Sequence, residues 1–239
     1  MSKIQAVILA GGKGSRLRPY TTVLPKPLMP LGEFPIAEVI VRQLKSFGLA
    51  NIVISTGHLA ELIEAYFGNG KRWGVNIRYV REDRALGTAG ALKLIKNLES
   101  DFLAINGDVL TDVDYGALLK FHKSKGGIAT ITVKERVVIT DFGVIEVGKN
   151  SEMADYIEKP QLKSFMSIGA YILNKRCKAY IKEDECVGMP ELMLRMKQSG
   201  EKVFCCPTQA MWLDLGRFDD FNAAQELFEK NKKKFINGF

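Results

Sequence analysis

Three glycines fall within four positions in Leu9-Ala10-Gly11-Gly12-Lys13-Gly14-Ser15-Arg16-Leu17-Arg18-Pro19, directly after the apolar run Ala6 to Ala10. Glycine lets a backbone approach a ligand closely. Successive N–H groups in such a loop can converge into an anion cradle. Lys13, Arg16 and Arg18 add positive charge around it, and bare amides with guanidinium groups suit a polyphosphate better than a neutral ligand. The spacing is not that of a P-loop, nor of the dinucleotide fingerprint, because Leu17 stands where the last glycine would be. Taken alone, the loop is equally compatible with a surface turn after a first strand.

The next stretch, Thr21-Thr22-Val23-Leu24-Pro25-Lys26-Pro27-Leu28-Met29-Pro30, sets Lys26 between two prolines. The prolines fix φ and stiffen the segment, so a flexible cation is presented from a rigid bend close to the glycine loop. Leu-Ala-Gly-Gly-x-Gly-x-Arg-Leu-x-Pro followed by Pro-Lys-Pro resembles the signature of the sugar-1-phosphate nucleotidylyltransferases. The resemblance extends from Ala6 to about Phe228.

It implies one α/β domain over residues 1–239, with a Rossmann-like, mixed, mostly parallel sheet flanked by helices. Residues 1–110 would form the nucleotide-binding half. Residues 111–239 would form the sugar-binding half, with a small antiparallel addition on the sugar side of the site and a C-terminal helix. The implied reaction joins an NTP to a sugar 1-phosphate, giving an NDP-sugar and pyrophosphate. Leu9, Ala10, Gly11, Gly12, Gly14 and Ser15 would hold the nucleotide, with Gly87, Thr88 and Glu82 on its base side. Arg16 would orient the leaving pyrophosphate, and Lys26 would bridge the reacting phosphoryl groups. Asn106, Gly143, Glu158 and Lys159 would meet the sugar phosphate, and Asp108 and Asp214 would hold Mg²⁺.

The residues themselves leave plainer alternatives beside these roles. Asp108, in Asn106-Gly107-Asp108, follows an apolar strand, and ligands in open α/β sheets bind beyond the carboxyl ends of strands; Asx-Gly is also common in simple turns. Asp214 stands in the apolar Met211-Trp212-Leu213-Asp214-Leu215-Gly216, where a carboxylate is costly unless paired or metal-bound. Arg217 is the structural alternative for its partner. Two carboxylates sharing one ion would repel without it, so one should have a raised pKa. Leu86-Gly87-Thr88-Ala89-Gly90 opens a helix whose N-terminus suits an anion, or which Thr88 merely caps. Phe142-Gly143-Val144 and Ile157-Glu158-Lys159-Pro160 resemble the sugar-site segments of the family, or else form an exposed strand end. His58 and His122 have no nucleophile beside them in sequence and read as structural or surface residues.

Leu86 to Gly90 is most similar to guanylyl-transferring members acting on mannose or heptose 1-phosphate. Thymidylyl-, uridylyl- or cytidylyl-transfer, or a non-catalytic nucleotide-sugar-binding subunit, remain as alternatives. Arg16, Lys26, Asp108 and Asp214 are all present, which favours an enzyme.

The elements that must position these residues follow from periodicity. Strands are expected over residues 4–10, 51–56, 75–80, 102–105, 128–133 and 203–206, with strand-like runs over 142–147, 153–158 and 167–173. Helices are expected over 36–47, 59–67, 89–98, 114–125, 192–198 and 218–234. The basic run Lys230 to Lys234 suits the solvated end of the last helix.

The 239 residues, 46% apolar and 26% charged, suit one large globular unit, and the net charge of +7 suits anionic substrates. Nucleic acid is not an expected partner, since neither a basic recognition helix nor an aromatic-rich strand pair is present. Cys177, Cys186, Cys205 and Cys206 match no zinc spacing and are expected as reduced thiols in a cytoplasmic protein. No targeting peptide is expected before the first strand, and no apolar run has the length of a membrane span. No β-helix, acetyltransferase or regulatory domain is expected within this length. Homo-oligomerisation is left open.

Overall fold

Short apolar runs alternate with amphipathic segments through the first half of the chain, and each run becomes a buried strand. A computed structural model describes residues 4–216 and 218–236. Strand β1 (Gln5–Ala10) leads into the glycine loop, and a hairpin of β2 (Pro30–Leu31) and β3 (Phe34–Pro35) leads into α1 (Ile36–Ser46). Then come β4 (Asn51–Thr56), α2 (Ala60–Phe67), β5 (Asn76–Arg81), α3 (Gly87–Leu94), β6 (Asp101–Asn106), β7 (Val109–Thr111) and α4 (Tyr115–Lys125). The second half holds β8 (Ala129–Ile139), β9 (Val144–Val147), β10 (Met153–Ile157), β11 (Gln161–Asn174), α5 (Met189–Gln198), β12 (Val203–Pro207), β13 (Trp212–Asp214) and α6 (Phe218–Phe235).

Seven strands form one sheet in the order β12-β8-β11-β6-β1-β4-β5. Strand β11 runs antiparallel to both its neighbours, and every other pairing is parallel. The mixed, mostly parallel sheet expected from strand–helix alternation is therefore the one that forms. Successive side chains of a strand point to opposite faces. Ala6, Ile8 and Ala10 of β1 join a core with Ile40 of α1 and Phe228 of α6, while Val7 joins another with Leu92 of α3 and Leu192 of α5. Both faces are covered, which is why the central strands read as unbroken apolar runs.

Several elements depart from the expected bounds. Helix α3 stops at Leu94 because Ile95 is extended and Asn97 takes a φ of 58°. Helix α5 begins at Met189, with Pro190 in its first turn, where a missing N–H is harmless. Strands β8 and β11 are much longer than their apolar cores, because they continue outward as a ribbon paired as far as Ile139 and Gln161. Strands β7 and β13 are too short to carry a periodicity, and only their mutual pairing makes them strands. His122 is buried, with Nδ1 2.9 Å from Thr130 Oγ1, and desolvation pushes its pKa down against the pull of Asp101. Cys205 is exposed and Cys206 half-buried, as alternation on a strand requires.

Candidate active site

Beyond β1 the loop is held by its own backbone and by Thr21. Gly14 takes a φ of +60°, and its carbonyl accepts bonds from Leu17 N–H at 2.9 Å and from Thr21 Oγ1 at 2.8 Å. His58 Nε2 lies 3.1 Å from the Thr21 carbonyl oxygen, which gives that histidine a structural task. The glycines are not equivalent. A Cβ on Gly11 would stand 2.1 Å from Glu82 Oε1, whereas one on Gly12 would meet nothing within 4 Å. A side chain on Gly11 would thus displace the Glu82 carboxylate, while Gly12 opens onto free space. A Gly12→Val protein should fold with unchanged thermal stability yet lose at least about tenfold in NTP affinity, because the side chain blocks the approach to the amides. Calorimetric titration checks this, and undiminished affinity would reduce the loop to a turn.

The free space is a cavity of about 310 Å³ at the carboxyl ends of β1 and β6. It brings together Leu9, Ala10, Gly11, Gly12, Gly14, Ser15, Arg16, Lys26, Glu82, Gly87, Thr88, Asn106 and Asp108. Pro27, Ala85, Ala91 and Gly107 also line it and were not anticipated. Ala91 carried a signal, standing one helical turn beyond Gly87 on the same face of α3. Gly107 is required by close packing, since a Cβ there would lie 3.0 Å from the Leu9 carbonyl oxygen. Asn106 Oδ1 is buried without a hydrogen-bond partner among the described residues.

Across the cavity Lys26 Nζ pairs with Asp108 Oδ2 at 2.5 Å, with the two side chains 9% and 29% exposed. The pair is therefore shielded on the lysine side and open on the carboxylate side. Antiparallel pairing of β7 with β13 sets Asp214 opposite Val109, the residue after Asp108, and Leu215 N–H donates to the Asp108 carbonyl at 3.0 Å. Asp214 is exposed as a residue, yet burial of its carboxyl first, and the Asp108 charge second, hold its pKa above the usual carboxylate value. Lys26 and Arg16 oppose that rise. The carboxylate repulsion expected from sequence is present, but desolvation is the larger cause. The Arg16 guanidinium lies against Gly216, where a Cβ would be 3.2 Å from Nη2. Arg217 lies outside the described residues.

The mouth of α3 departs from the capping reading, while Gly87 and Thr88 both line the cavity. Thr88 does not cap the helix; its hydroxyl accepts a bond from Met189 N–H at 2.8 Å and so ties α3 to α5. The Val187 carbonyl takes the N–H groups of Ala89 and Gly90 at 3.0 and 3.1 Å. Two of the donors that would have drawn an anion to this helix end are therefore already used. Glu82 accepts from Ser55 Oγ at 2.7 Å and from Leu86 N–H at 3.1 Å, one bond on each carboxylate oxygen.

Gly143, Glu158 and Lys159 do not line the cavity. Half-buried Gly143 and exposed Glu158 and Lys159 lie beside the hairpin of β9 and β10, with the Tyr156 hydroxyl packed over Gly143 and 3.4 Å from Glu158 Oε2. The antiparallel addition exists, but it projects as an arm. The described residues contain no cluster of three or more acidic, His or Cys side chains able to hold a metal by themselves. Asp108 and Asp214 nevertheless offer two hard oxygen donors beside an open cavity, and Asp214 is kept from easy ionisation by burial first and by Asp108 second. That donor set fits a hard dication that takes its remaining ligands from phosphate and water.

Comparison with known proteins agrees with this architecture. The model of the nucleotidyl transferase family matches residues 5–231. A D-glycero-alpha-D-manno-heptose 1-phosphate guanylyltransferase of Aneurinibacillus thermoaerophilus is 31% identical over 226 residues, covering 93% of this chain and 97% of its own. A UTP–glucose-1-phosphate uridylyltransferase of Synechocystis is 32% identical, and the mannose-1-phosphate guanylyltransferase catalytic subunit beta of Dictyostelium discoideum 30%. The chain spans only 61% and 66% of those two longer relatives. Among solved structures, a Bacillus anthracis protein provisionally named glucose-1-phosphate thymidylyltransferase and solved with sucrose superposes with a TM-score of 0.77. It is 26% identical, over 97% of this chain and 98% of the other. The family match along nearly the whole length, together with a guanylyltransferase of nearly equal size, establishes that this chain belongs to the nucleotidyl transferase family, beside the sugar-1-phosphate guanylyl- and uridylyltransferases.

Proposed function

We propose that the protein condenses a nucleoside triphosphate with a sugar 1-phosphate, giving a nucleoside diphosphate sugar and pyrophosphate. The observation that carries this reading is one cavity lined by the glycine loop, Arg16, Lys26 and Asp108. A phosphate oxygen of the sugar 1-phosphate attacks the α-phosphorus in line. The bond from α-phosphorus to the bridging oxygen breaks, and its electron pair leaves with pyrophosphate. No proton transfer or covalent enzyme intermediate is needed, so catalysis rests on positioning and charge.

In this reading the amides from Gly11 to Ser15 hold the triphosphate. Arg16, placed between the loop and Gly216, orients the departing pyrophosphate. Lys26 neutralises the charge that builds on the reacting phosphoryl group. Asn106, which lines the same cavity, is assigned to the sugar phosphate; Gly143, Glu158 and Lys159 lie outside that cavity and are given no contact in it. Asp108 and Asp214 would hold Mg²⁺, which lowers the repulsion between the two phosphate-bearing substrates when bound.

We assign guanine as the base. Each oxygen of Glu82 has one lone pair left after its protein bond. Guanine offers adjacent N1–H and N2–H donors to such a pair of acceptors, whereas uracil and thymine flank their single N–H with two carbonyls that a carboxylate repels. Names of two relatives agree, a heptose 1-phosphate and a mannose-1-phosphate guanylyltransferase.

Pyrophosphate release measured over a matrix of NTPs and sugar 1-phosphates tests both levels. No release with any pair would remove the reaction. Release with UTP or dTTP in preference to GTP would remove the base assignment alone. Glu82→Gln should lower kcat/KM for GTP by roughly 10–100-fold, the value of one bidentate base contact, and change that for UTP far less. Equal losses with both nucleotides would make Glu82 only a brace for Gly11.

A further inference from the structure

Thr21 is a polar side chain that takes no part in the reaction, yet it stands where two parts of the site meet. It is 2% exposed and does not line the cavity. A Cβ on Gly14 would lie 3.0 Å from Thr21 Cγ2 and 3.1 Å from Lys26 Cβ, so Gly14 packs against both the threonine methyl and the lysine stem. The Thr21 hydroxyl donates to the Gly14 carbonyl at 2.8 Å, and Leu17 N–H donates to the same oxygen at 2.9 Å. The Leu17 bond closes the loop on itself, whereas the Thr21 bond fixes the loop to a neighbouring segment. That segment is itself held. His58, just beyond the carboxyl end of β4, sets Nε2 3.1 Å from the Thr21 carbonyl oxygen. A carbonyl only accepts, so this nitrogen carries the ring proton. Gly57 beside it abuts the other end of the loop, where a Cβ would stand 2.7 Å from the Gly11 carbonyl oxygen.

We infer that Thr21 is a positioning residue for the triphosphate: its hydroxyl fixes which side of the Gly14–Ser15 peptide faces the cavity. This rests on the nucleotidyl-transfer reading of the cavity. A trans peptide is planar, and its N–H and C=O leave it in opposite directions. A Gly14 oxygen turned towards buried Thr21 therefore sends the Ser15 N–H the other way, to the open side where Gly14 and Ser15 line the cavity. Glycine leaves that peptide free to rotate, and Gly14 already takes the left-handed φ of +60°. A half-turn of the plane would aim the carbonyl oxygen at the phosphates and exchange an attraction for a repulsion. Threonine suits the task because its χ1 is stiff. With the methyl against Gly14, the hydroxyl is held on the Gly14 oxygen. His58 acts one step further back, since it fixes the Thr21 backbone from β4.

Two substitutions separate the hydroxyl from the packing. Thr21→Val keeps the shape and removes the donor; Thr21→Ser keeps the donor and removes the methyl. The Gly14 oxygen retains the Leu17 bond in both, so both proteins should fold. Calorimetric titration with GTP, UTP and inorganic tripolyphosphate in the presence of Mg²⁺, with a thermal scan of each protein, reads affinity and stability apart. Thr21→Val should weaken all three probes by about three- to tenfold, the value of one net hydrogen bond. The factor should be common to the three, because the contact is to phosphate and not to the base. Thr21→Ser should bind like the wild type although it melts earlier, since a buried methyl is gone. His58→Ala should weaken binding by a smaller factor and add nothing to Thr21→Val, as expected of residues acting in series. Wild-type affinity in a folded Thr21→Val protein overturns the inference and leaves the reaction standing. So do equal affinity losses in the valine and serine variants, which would make the threonine a packing residue alone. A wild type that binds none of the three probes overturns the inference together with the reading of the cavity beneath it.

Discussion

Replacing Lys26 with alanine lowers kcat by about 10²–10³-fold, the usual loss of one preorganised electrostatic contact to a transition state, and leaves the fold intact. Its side chain is nine-tenths shielded, with the ammonium fixed 2.5 Å from Asp108, at the edge of the space that the phosphates would fill. Pro25 and Pro27 flank it, and Met29 N–H closes the following turn onto the Lys26 carbonyl at 3.0 Å. A shielded charge keeps its field because little water reaches it. Asp108, the partner left behind, is open enough to be solvated, so the fold does not depend on the pair. Lys26→Met separates charge from packing, since it keeps an apolar stem in the same space. Both variants should lose kcat and kcat/KM together, because the interaction belongs to the transition state. Steady-state pyrophosphate release with circular dichroism provides the check. Turnover like that of the wild type in a folded Lys26→Ala protein would take the lysine out of the mechanism.

Asp108→Asn and Asp214→Asn should each nearly abolish turnover at low Mg²⁺, with partial recovery as Mg²⁺ is raised. Since both are assigned to one ion, the double variant should be little worse than either single one. Multiplicative losses would argue for separate roles. Stability should move in opposite directions. Asp214 has a pKa raised above the ordinary 3.8, by burial first and by Asp108 second. For a carboxyl of raised pKa, ionisation costs folding free energy as pH climbs from the unfolded value through the folded one, and the full penalty stands at neutral pH. Asp214→Asn removes that penalty, so without metal its Tm should exceed that of the wild type at pH 7. The advantage should vanish as pH falls below the unfolded value. Asp108→Asn exchanges a charge-assisted bond from Lys26 for a neutral one and should lower stability by about 1 kcal/mol. Thermal scans in chelator at neutral and acid pH would expose the difference. Equal Tm shifts of the same sign would mean that the two carboxylates do not share one electrostatic site.

Much of this protein was legible before any fold was known, because local chemistry carries its own constraints. Gly11, Gly12 and Gly14 announced a backbone that something must approach, and Pro25-Lys26-Pro27 announced a cation on a rigid bend. Strand–helix alternation in the first half dictated a parallel sheet, and with it a site at the carboxyl ends of the strands. Asp108 could be placed from its position after an apolar strand.

Other features depended on what lies opposite in space. That Gly11 serves Glu82 while Gly12 faces free space is a distinction between identical residues that no spacing reveals. Thr88 has the look of a helix cap but bonds to Met189, about a hundred positions away, because α3 and α5 pack side by side. Asp214 reaches Asp108 only through a three-residue pairing of β13 with β7, strands too short to show a period of their own. Gly143, Glu158 and Lys159 fall on alternating, strand-like runs that sequence places beside the site, yet the tertiary structure carries them out on the arm. Alternation specifies that a strand has two faces. What covers each face is decided by the distant part of the chain that packs against it.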